Sequence, residues 1–262
     1  MSKKKNPSVT FESYYREMYG ERWSYLKEAL TKESAPVSFN LGLTQNYYLD
    51  EASIIAAKSL GVKEGDKVLD LCAAPGGKSL VISSLIGRQG SLVSNDRSTS
   101  RRLRMLRVFK EHLSTESLQN IKVKGFDALH CHRVEKEPFD KILVDAPCSS
   151  ERHVINDSRA LDEWSPSRIK RFAKQQVDIL MAAIQILKPG GTLVYCTCAL
   201  NQKENDGVIK KILKRRGKQV GLVQETYALG NATDLGWEIL PDQCEGKGPL
   251  YFSKLIRLSE PG

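Results

Sequence analysis

The chain of 262 residues has six cysteines, at positions 72, 131, 148, 196, 198 and 244, yet contains no Cys-x-x-Cys pair. That spacing argues against a zinc ribbon and against a small disulfide scaffold. His130-Cys131-His132 is the one local cluster of metal-capable side chains, and adjacent residues cannot easily converge on one ion, so it reads as a polar loop. No apolar run approaches the roughly 20 residues that a bilayer-spanning helix needs. Lys3-Lys4-Lys5 is followed by no apolar core, so no secretory signal is expected. With its thiols unpaired, the chain is expected in the cytoplasm. Internal repeats and long linkers are also missing, which leaves one large domain with at most a small appendage. Acidic residues run short: 31 Asp+Glu stand against 40 Lys+Arg, a net charge of +9. Such an excess favours a polyanionic partner, nucleic acid above all.

What is present centres on Lys67-Val-Leu-Asp70-Leu-Cys72-Ala73-Ala74-Pro75-Gly76-Gly77-Lys78. Lys67 to Leu71 reads as a buried parallel strand that breaks at Pro75-Gly76-Gly77 and yields to a helix over Ser79 to Ile86. Glycines there let backbone approach a ligand closely, and free N–H groups at a helix start favour negative charge. The spacing is neither G-x-G-x-x-G nor G-x-x-x-x-G-K-[ST], so neither a dinucleotide nor a nucleoside triphosphate is the first choice.

Residues 1–43 form a polar, aromatic-rich lead, with one or two helices expected between Phe11 and Leu30 and ended by Ala35-Pro36. They are expected to make a small N-terminal helical extension, either packing on the main domain or lending basic and aromatic side chains to a nucleic-acid groove. Residues 44–262 are expected to form the main domain. A short helix spans Glu51 to Leu60, and strands follow at Ser91–Asp96, Ile121–Gly125, Asp140–Cys148 and Thr192–Cys198. Ser149–Ser165 reads as a polar loop, Pro166–Leu187 as a long amphipathic helix, Lys188-Pro-Gly-Gly191 as a turn and Glu204–Arg216 as another helix. Val220–Gln224 and Leu250–Leu258 read as late strands. Alternation of strand and helix implies an α/β fold with a mostly parallel, doubly wound sheet. Arg97, Arg101, Arg104 and Arg107 recur at helical spacing, either as a solvated face or as a surface that tracks phosphates.

Ligands in such sheets collect outside the carboxyl ends of the strands. Gly76, Gly77, Asp96, Asp127, Asp145, Cys148 and Cys198 all fall there. Asp96 lies about 20 residues beyond the glycines, the usual separation for a carboxylate that accepts from ribose hydroxyls. Asp70, inside the first strand, is expected to bond backbone amides of the neighbouring loop. The motifs Leu71-Cys72-Ala-Ala-Pro-Gly-Gly-Lys78, Asp96, Asp127, Asp145-Ala-Pro-Cys148-Ser149, Thr197-Cys198 and Glu204-Asn205 resemble those of the Sun-domain (Nop/Sun) family of RNA cytosine-5 methyltransferases. The resemblance covers most of the chain from about Tyr47 onward, and the tail Gly248–Lys254 is similar to that of short members acting on small-subunit ribosomal RNA.

The resemblance implies a Rossmann-like methyltransferase fold and S-adenosylmethionine as cofactor. The turn from Cys72 through Ala73, Ala74, Pro75, Gly76 and Gly77 to Lys78 would cradle it, with the glycines against its methionine part. Asp96 would hold the ribose with Arg101 near it, Asp127 would face the adenine, and Asp145 would contact the target cytosine. The family uses the Thr-Cys thiol as nucleophile and the Pro-Cys thiol as helper, here Cys198 and Cys148, whereas DNA cytosine methyltransferases use the Pro-Cys position. Lys78 would assist electrostatically. Two thiols suit the chemistry, because a thiolate added to C6 of cytosine turns C5 into a competent nucleophile, and a second thiol helps remove the C5 proton. One departure is Cys196-Thr197-Cys198-Ala199, where the family usually has Ser-Thr-Cys-Ser; Cys196 shares the Cys198 face of the strand, a pair deeper, and is expected in the core. No appended RNA-binding domain is evident. Ribosomal RNA is the preferred substrate over tRNA, the chain is expected to be a monomer, and a protein partner that delivers the RNA fits the missing domain. The rivals are a methyltransferase of another acceptor, such as DNA or a small molecule, and a non-catalytic RNA- or ribosome-binding module.

Overall fold

The computed structural model describes residues 10–33 and 36–259; Lys3-Lys4-Lys5 and Ala35 lie outside the described residues. Two helices open it, α1 (Phe11–Tyr19) and α2 (Arg22–Thr31), followed by a hairpin of β1 (Val37–Phe39) and β2 (Tyr47–Leu49) that straddles residue 43. Thr10 caps α1 through a reciprocal bond with Ser13. Asp50 caps α3 (Glu51–Ser59) by accepting from the Ala52 N–H.

The core is a strand–helix alternation. In chain order it runs β3 (Lys67–Asp70), α4 (Gly77–Ser83), β4 (Ser91–Asn95), α5 (Thr99–His112), α6 (Thr115–Gln119) and β5 (Ile121–Lys124). A 3₁₀ turn at Ala128–His130 leads into α7 (Cys131–Val134) and β6 (Phe139–Asp145). The expected polar loop after β6 is instead two short helices, α8 (Glu151–Asn156) and α9 (Ser158–Asp162), the second capped by Asp157. Polar composition hid them, because at five or six residues neither has room for an apolar stripe. Then come α10 (Pro166–Gln185), β7 (Leu187–Thr197), α11 (Asp206–Arg216), β8 (Val220–Val223), β9 (Asn231–Ala232), β10 (Trp237–Ile239) and β11 (Leu250–Arg257). The Lys188–Gly191 turn interrupts the β6 pairing but not the strand: Phe139 pairs with Leu187, and Lys141 next pairs with Thr192. Sequence periodicity misses β9 and β10, two and three residues long, which are too short to show an alternation.

The sheet order is β5-β4-β3-β6-β7-β11-β10-β9, with β8 also on β11. The five strands β3 to β7 pair in parallel, and every pairing of β8 to β11 is antiparallel. Chain order reverses between β3 and β6, which makes the crevice at their carboxyl ends the topological switch point. Both faces are buried. Leu69, Ile142, Val144, Leu193 and Tyr195 pack under α10 and α11, while Val68, Leu143, Val194 and Cys196 pack against Ala52, Ala56 and Ile82 of α3 and α4. Alternation along each strand therefore assigns Asp70, Asp145 and Cys196 to the α3/α4 face.

The aromatics of α1 and α2 point inward. Phe11, Tyr15 and Trp23 form one cluster with Trp164, Ile169, Val154 and Leu200 of the main body, and the Tyr15 and Trp23 rings stack at 5.2 Å. Packing is thus what these aromatics do. Trp23 is 1% exposed, so Trp23→Ala is expected to cost about 3–5 kcal/mol of stability, read as a lower urea midpoint.

Candidate active site

Parallel pairing of β6 and β7 sets Asp145 directly beside Cys196. The chain runs on from both strands, three residues to Cys148 and two to Cys198, and the two sulfurs meet at 3.3 Å. Lys78, from the first turn of α4, donates to Asp145 Oδ2 at 2.8 Å, and the Cys196 thiol donates to Asp145 Oδ1 at 3.4 Å. Burial works against the charge on Lys78, but Asp145 outweighs it and raises the ammonium pKa. Both oxygens of Asp145 are therefore engaged, and the carboxylate is held in one orientation. Cys196 is fully buried in the α3/α4 core as expected from its register, yet it also touches Asp145. Lys78, Asp145 and Cys198 line a cleft of about 530 Å³, closed on the far side by Asp50, Arg152, His153, Asn156 and the Gly248–Pro249 turn. Asp50 anchors that turn by accepting from the Gly248 N–H at 2.9 Å.

The two sulfurs are not equivalent. Cys198 also bonds to the Ser150 hydroxyl at 3.4 Å, whereas Cys148 faces Cys198 alone and packs nearer Glu204. Its bond to Cys148 pulls the Cys198 thiol below its ordinary value against the effect of burial, and the same bond together with burial pushes Cys148 well up. Cys198 is thus the sulfur better suited to ionise.

Beneath the thiols lie two buried carboxylates that sequence reading did not assign to the loop's support. Glu151 accepts from the Ser149 and Tyr15 hydroxyls and, at 2.9 Å, from the Leu200 N–H. Glu204 accepts from the Ser149 N–H at 3.0 Å and from Gln176 at 2.8 Å. Burial raises both pKa values, that of Glu204 to about 7, with Glu151 adding to the rise. Together they tie the Cys148 loop to the segment after Cys198. Tyr19 and Tyr14 add bonds to Leu200 and Asn201, so α1 helps hold the site. The signal available in the sequence was an acid directly after Ser149-Ser150.

The other predicted residues form a second group, at the neighbouring strand ends. The Cys72–Gly77 turn is pinned by the Ala73 N–H to Asn95 O at 2.8 Å, and Arg101 bonds the Ala74 carbonyl. Gly76 also has a structural duty within the turn. Its φ is 111°, and an added Cβ would press on Phe109 and Met105 at 3.0 and 3.1 Å, so glycine is required by the turn and by α5. Asp70 also differs: it accepts from the Ser79 hydroxyl at 2.7 Å and not from loop amides, because α4 lies directly over it. Asp96 Oδ1 accepts from the Ser98 N–H, while its buried Oδ2 lacks a hydrogen bond although Arg101 stands 3.0 Å away. Asp127 caps the following turn through Leu129 and pairs with Arg97 at 3.2 Å. Arg97 and Arg101 thus belong to the strand-end acids, and Arg104 and Arg107 remain on the exposed face of α5. Cys131 is buried in the core, and its burial pushes the thiol up to about 12.

Residues 57–256 match the family described as 16S rRNA methyltransferase RsmB/F. The chain belongs to that family. Among named RsmB/F relatives, the 5-cytosine rRNA methyltransferase NSUN4 of Mus musculus is 32% identical over 84% of this chain and 62% of its own. The ribosomal RNA small subunit methyltransferase F of Aeromonas salmonicida is 39% identical over 67% of this chain and 37% of its own. The chain therefore spans about 62% or less of the length of these relatives. The crystal structure of NSun6 from Pyrococcus horikoshii with SFG superposes with a TM-score of 0.71 at 27% identity, covering 85% of this chain and 55% of that one. A methyltransferase homolog protein from the same organism, 22% identical, shares the fold at a TM-score of 0.77 over 95% of this chain and 94% of its own. Among the described residues no helix is long and apolar enough to cross a membrane.

The buried strand-end acid makes a pH prediction. Burial pushes Asp70 up to about 7, against the pull of Ser79. The folded state then holds this proton to higher pH than the unfolded chain, so its ionisation removes stability as pH rises from about 4 to 7. Asp70→Asn is expected to flatten that fall, read as a melting temperature that drops less than wild type between about pH 4 and 7.

Proposed function

We propose that this protein is an S-adenosylmethionine-dependent RNA (cytosine-5) methyltransferase acting on small-subunit ribosomal RNA. The observation that carries the reading is Cys198 at the wall of a cleft that also holds Asp145, with the Cys148 sulfur 3.3 Å behind it. A binding module has no use for a cleft-lining thiol backed by a second thiol and set beside an oriented carboxylate, and the relatives named for 5-cytosine and small-subunit rRNA methylation support the acceptor. Six free cysteines suit a reducing compartment.

The strand-end group fits the cofactor. The N-terminus of α4 carries no side-chain cap, the buried Asp96 Oδ2 lacks a hydrogen bond, and Asp127 lies at the next strand end. The Cys72–Lys78 turn, Asp96 with Arg101, Asp127 and Asp145 would hold it. When bound it supplies an electrophilic methyl group.

The chain's own residues do the rest. A target cytosine unstacked into the cleft lies against Asp145 and Cys198. The Cys198 thiolate adds to C6, forming the S–C6 bond and placing the displaced electron pair where C5 becomes nucleophilic. Asp145, oriented by Lys78, stabilises a proton at N3 and so draws charge from the ring. After C5 is methylated, Cys148, its own proton having first passed to solvent, receives the C5 proton as a thiolate, directly or through water. The electrons of that C–H bond restore the C5–C6 double bond, the S–C6 bond breaks, and Cys198 leaves as thiolate. Cys198 and burial raise the Cys148 pKa, so its thiolate, once formed, is a strong base toward the C5 proton.

Methyl transfer to rRNA by the purified protein, mapped by bisulfite sequencing, tests the reading; no protected cytosine in any RNA would sink it. Cys198→Ala is expected to abolish turnover with cofactor affinity by calorimetry nearly unchanged, and an active variant would reassign the nucleophile. Cys148→Ala is expected to accumulate a protein–RNA adduct that survives denaturing gels; absence of the adduct would count against its role in release.

A further inference from the structure

Ser150 is the residue that sequence reading passed over and that stands nearest the chemistry. It is one of two non-glycine residues with positive φ among those described, at φ 54° and ψ 65°, a left-handed conformation disfavoured for any side chain with a Cβ. Such backbone persists only where its surroundings over-determine it, and it gathers at functional sites. Here the surroundings are plain. The preceding residue, Ser149, is fixed by Glu204 through its N–H and by Glu151 through its hydroxyl.

The conformation also redirects the hydroxyl. Ser150 occupies the N-cap position of α8, yet it makes no capping bond, whereas Ser98 and Ser114, in extended backbone, cap their helices through the side chain. A serine there would ordinarily accept from the first turn. Turned left-handed, Ser150 instead sets its Oγ 3.4 Å from the Cys198 sulfur and lines the cleft beside Cys198 and Asp145.

We propose that Ser150 is a further catalytic residue, whose hydroxyl donates to the Cys198 sulfur whenever that sulfur is a thiolate, before it attacks and again as it leaves. The proposal rests on Cys198 being the nucleophile. It also explains why two thiols can share one site. Cys148 is the other neighbour of Cys198, but in the proposed cycle Cys148 exchanges a proton and cannot donate to the thiolate throughout. A serine hydroxyl does not titrate, so it can. A donor is needed because the groups facing Cys198 are mixed. Asp145 at the end of β6 and Glu151 on α8 oppose a thiolate, and Cys196 lies below on β7. Arg152 on α8 favours it, and Lys78 on α4 is already committed to Asp145. Asp50 and His153 line the same cleft. Among these the bond from Cys148 lowers the Cys198 pKa, burial raises it, and the bond with Ser150 lowers it again.

The test needs no RNA. Wild type, Ser150→Gly and Ser150→Ala are alkylated with iodoacetamide across a pH series, and the Cys198 peptide is followed by mass spectrometry. Both variants are expected to shift the alkylation midpoint up by about one pH unit, which is about a tenfold slower reaction near neutrality. Ser150→Gly also relieves the left-handed strain, so its melting temperature is expected to equal or exceed that of wild type, which separates loss of the hydroxyl from loss of the fold. With rRNA, kcat is expected to fall with KM little changed, the acid limb of its pH profile moving by the same unit. A midpoint that stays put in Ser150→Gly, or moves only in Ser150→Ala, overturns the proposal. Failure of the wild type to methylate any RNA would instead strike the functional reading and leave the alkylation result standing.

Discussion

The site depends on the register between two neighbouring parallel strands. Because β6 and β7 pair in step, Asp145 sits level with Cys196, and the two exits from the sheet leave side by side. A slip of one residue would turn Asp145 and Cys196 onto opposite faces and carry the loops apart. Burial of both faces guards against that slip. Leu143 and Val194 are locked under α3 and α4, as Val144 and Tyr195 are under α10 and α11. The core thus acts as a ruler, and its precision reaches the sulfurs through only two or three further residues of chain.

Those further residues are not left free. Glu151 and Glu204 stand behind the loops as acceptors for hydroxyls and backbone N–H groups on both sides of the thiol pair. Taking two carboxylates out of water is costly, and the raised pKa values of both record that cost. What they contribute is direction, since hydrogen bonds fix a loop where apolar packing only excludes water. The same network reaches α1 through Tyr15, so the N-terminal helices belong to the architecture of the site as much as to its periphery. The left-handed Ser150 sits where this constraint is greatest, as expected of strain that surrounding bonds sustain.

The division between legible and hidden follows the range of the interactions. Apolar alternation and glycine-marked turns are local, so β3, β4, β5 and the helices α10 and α11 could be read within one or two residues, whereas β6 stops three residues before Cys148 and β7 begins five before Thr192. The short elements could not be: α8, α9, β9 and β10 exist because tertiary contacts hold them. The candidate-site residues stood out because Asp145-Ala-Pro-Cys148 and Thr197-Cys198 each fall at the carboxyl end of a strand, and strand ends are where such folds keep their chemistry. The packing demand on Gly76 was not legible, since its neighbours Phe109 and Met105 lie more than twenty-five residues away in sequence.

The sequence by itself determined the alternation of strand and helix, the basic surplus, the family and the strand ends that carry acids and thiols. All of these are properties of neighbours along the chain or of side-chain chemistry. Only the tertiary structure decided which sulfur gains a second hydrogen bond, which carboxylate orients on Lys78, and that Glu151, Glu204 and Tyr15 support the loops. Apart from the bond of Ser149 to Glu151, these join residues between 48 and 136 positions apart. Their distances are set by how the sheet stacks its strands, and no local pattern encodes that.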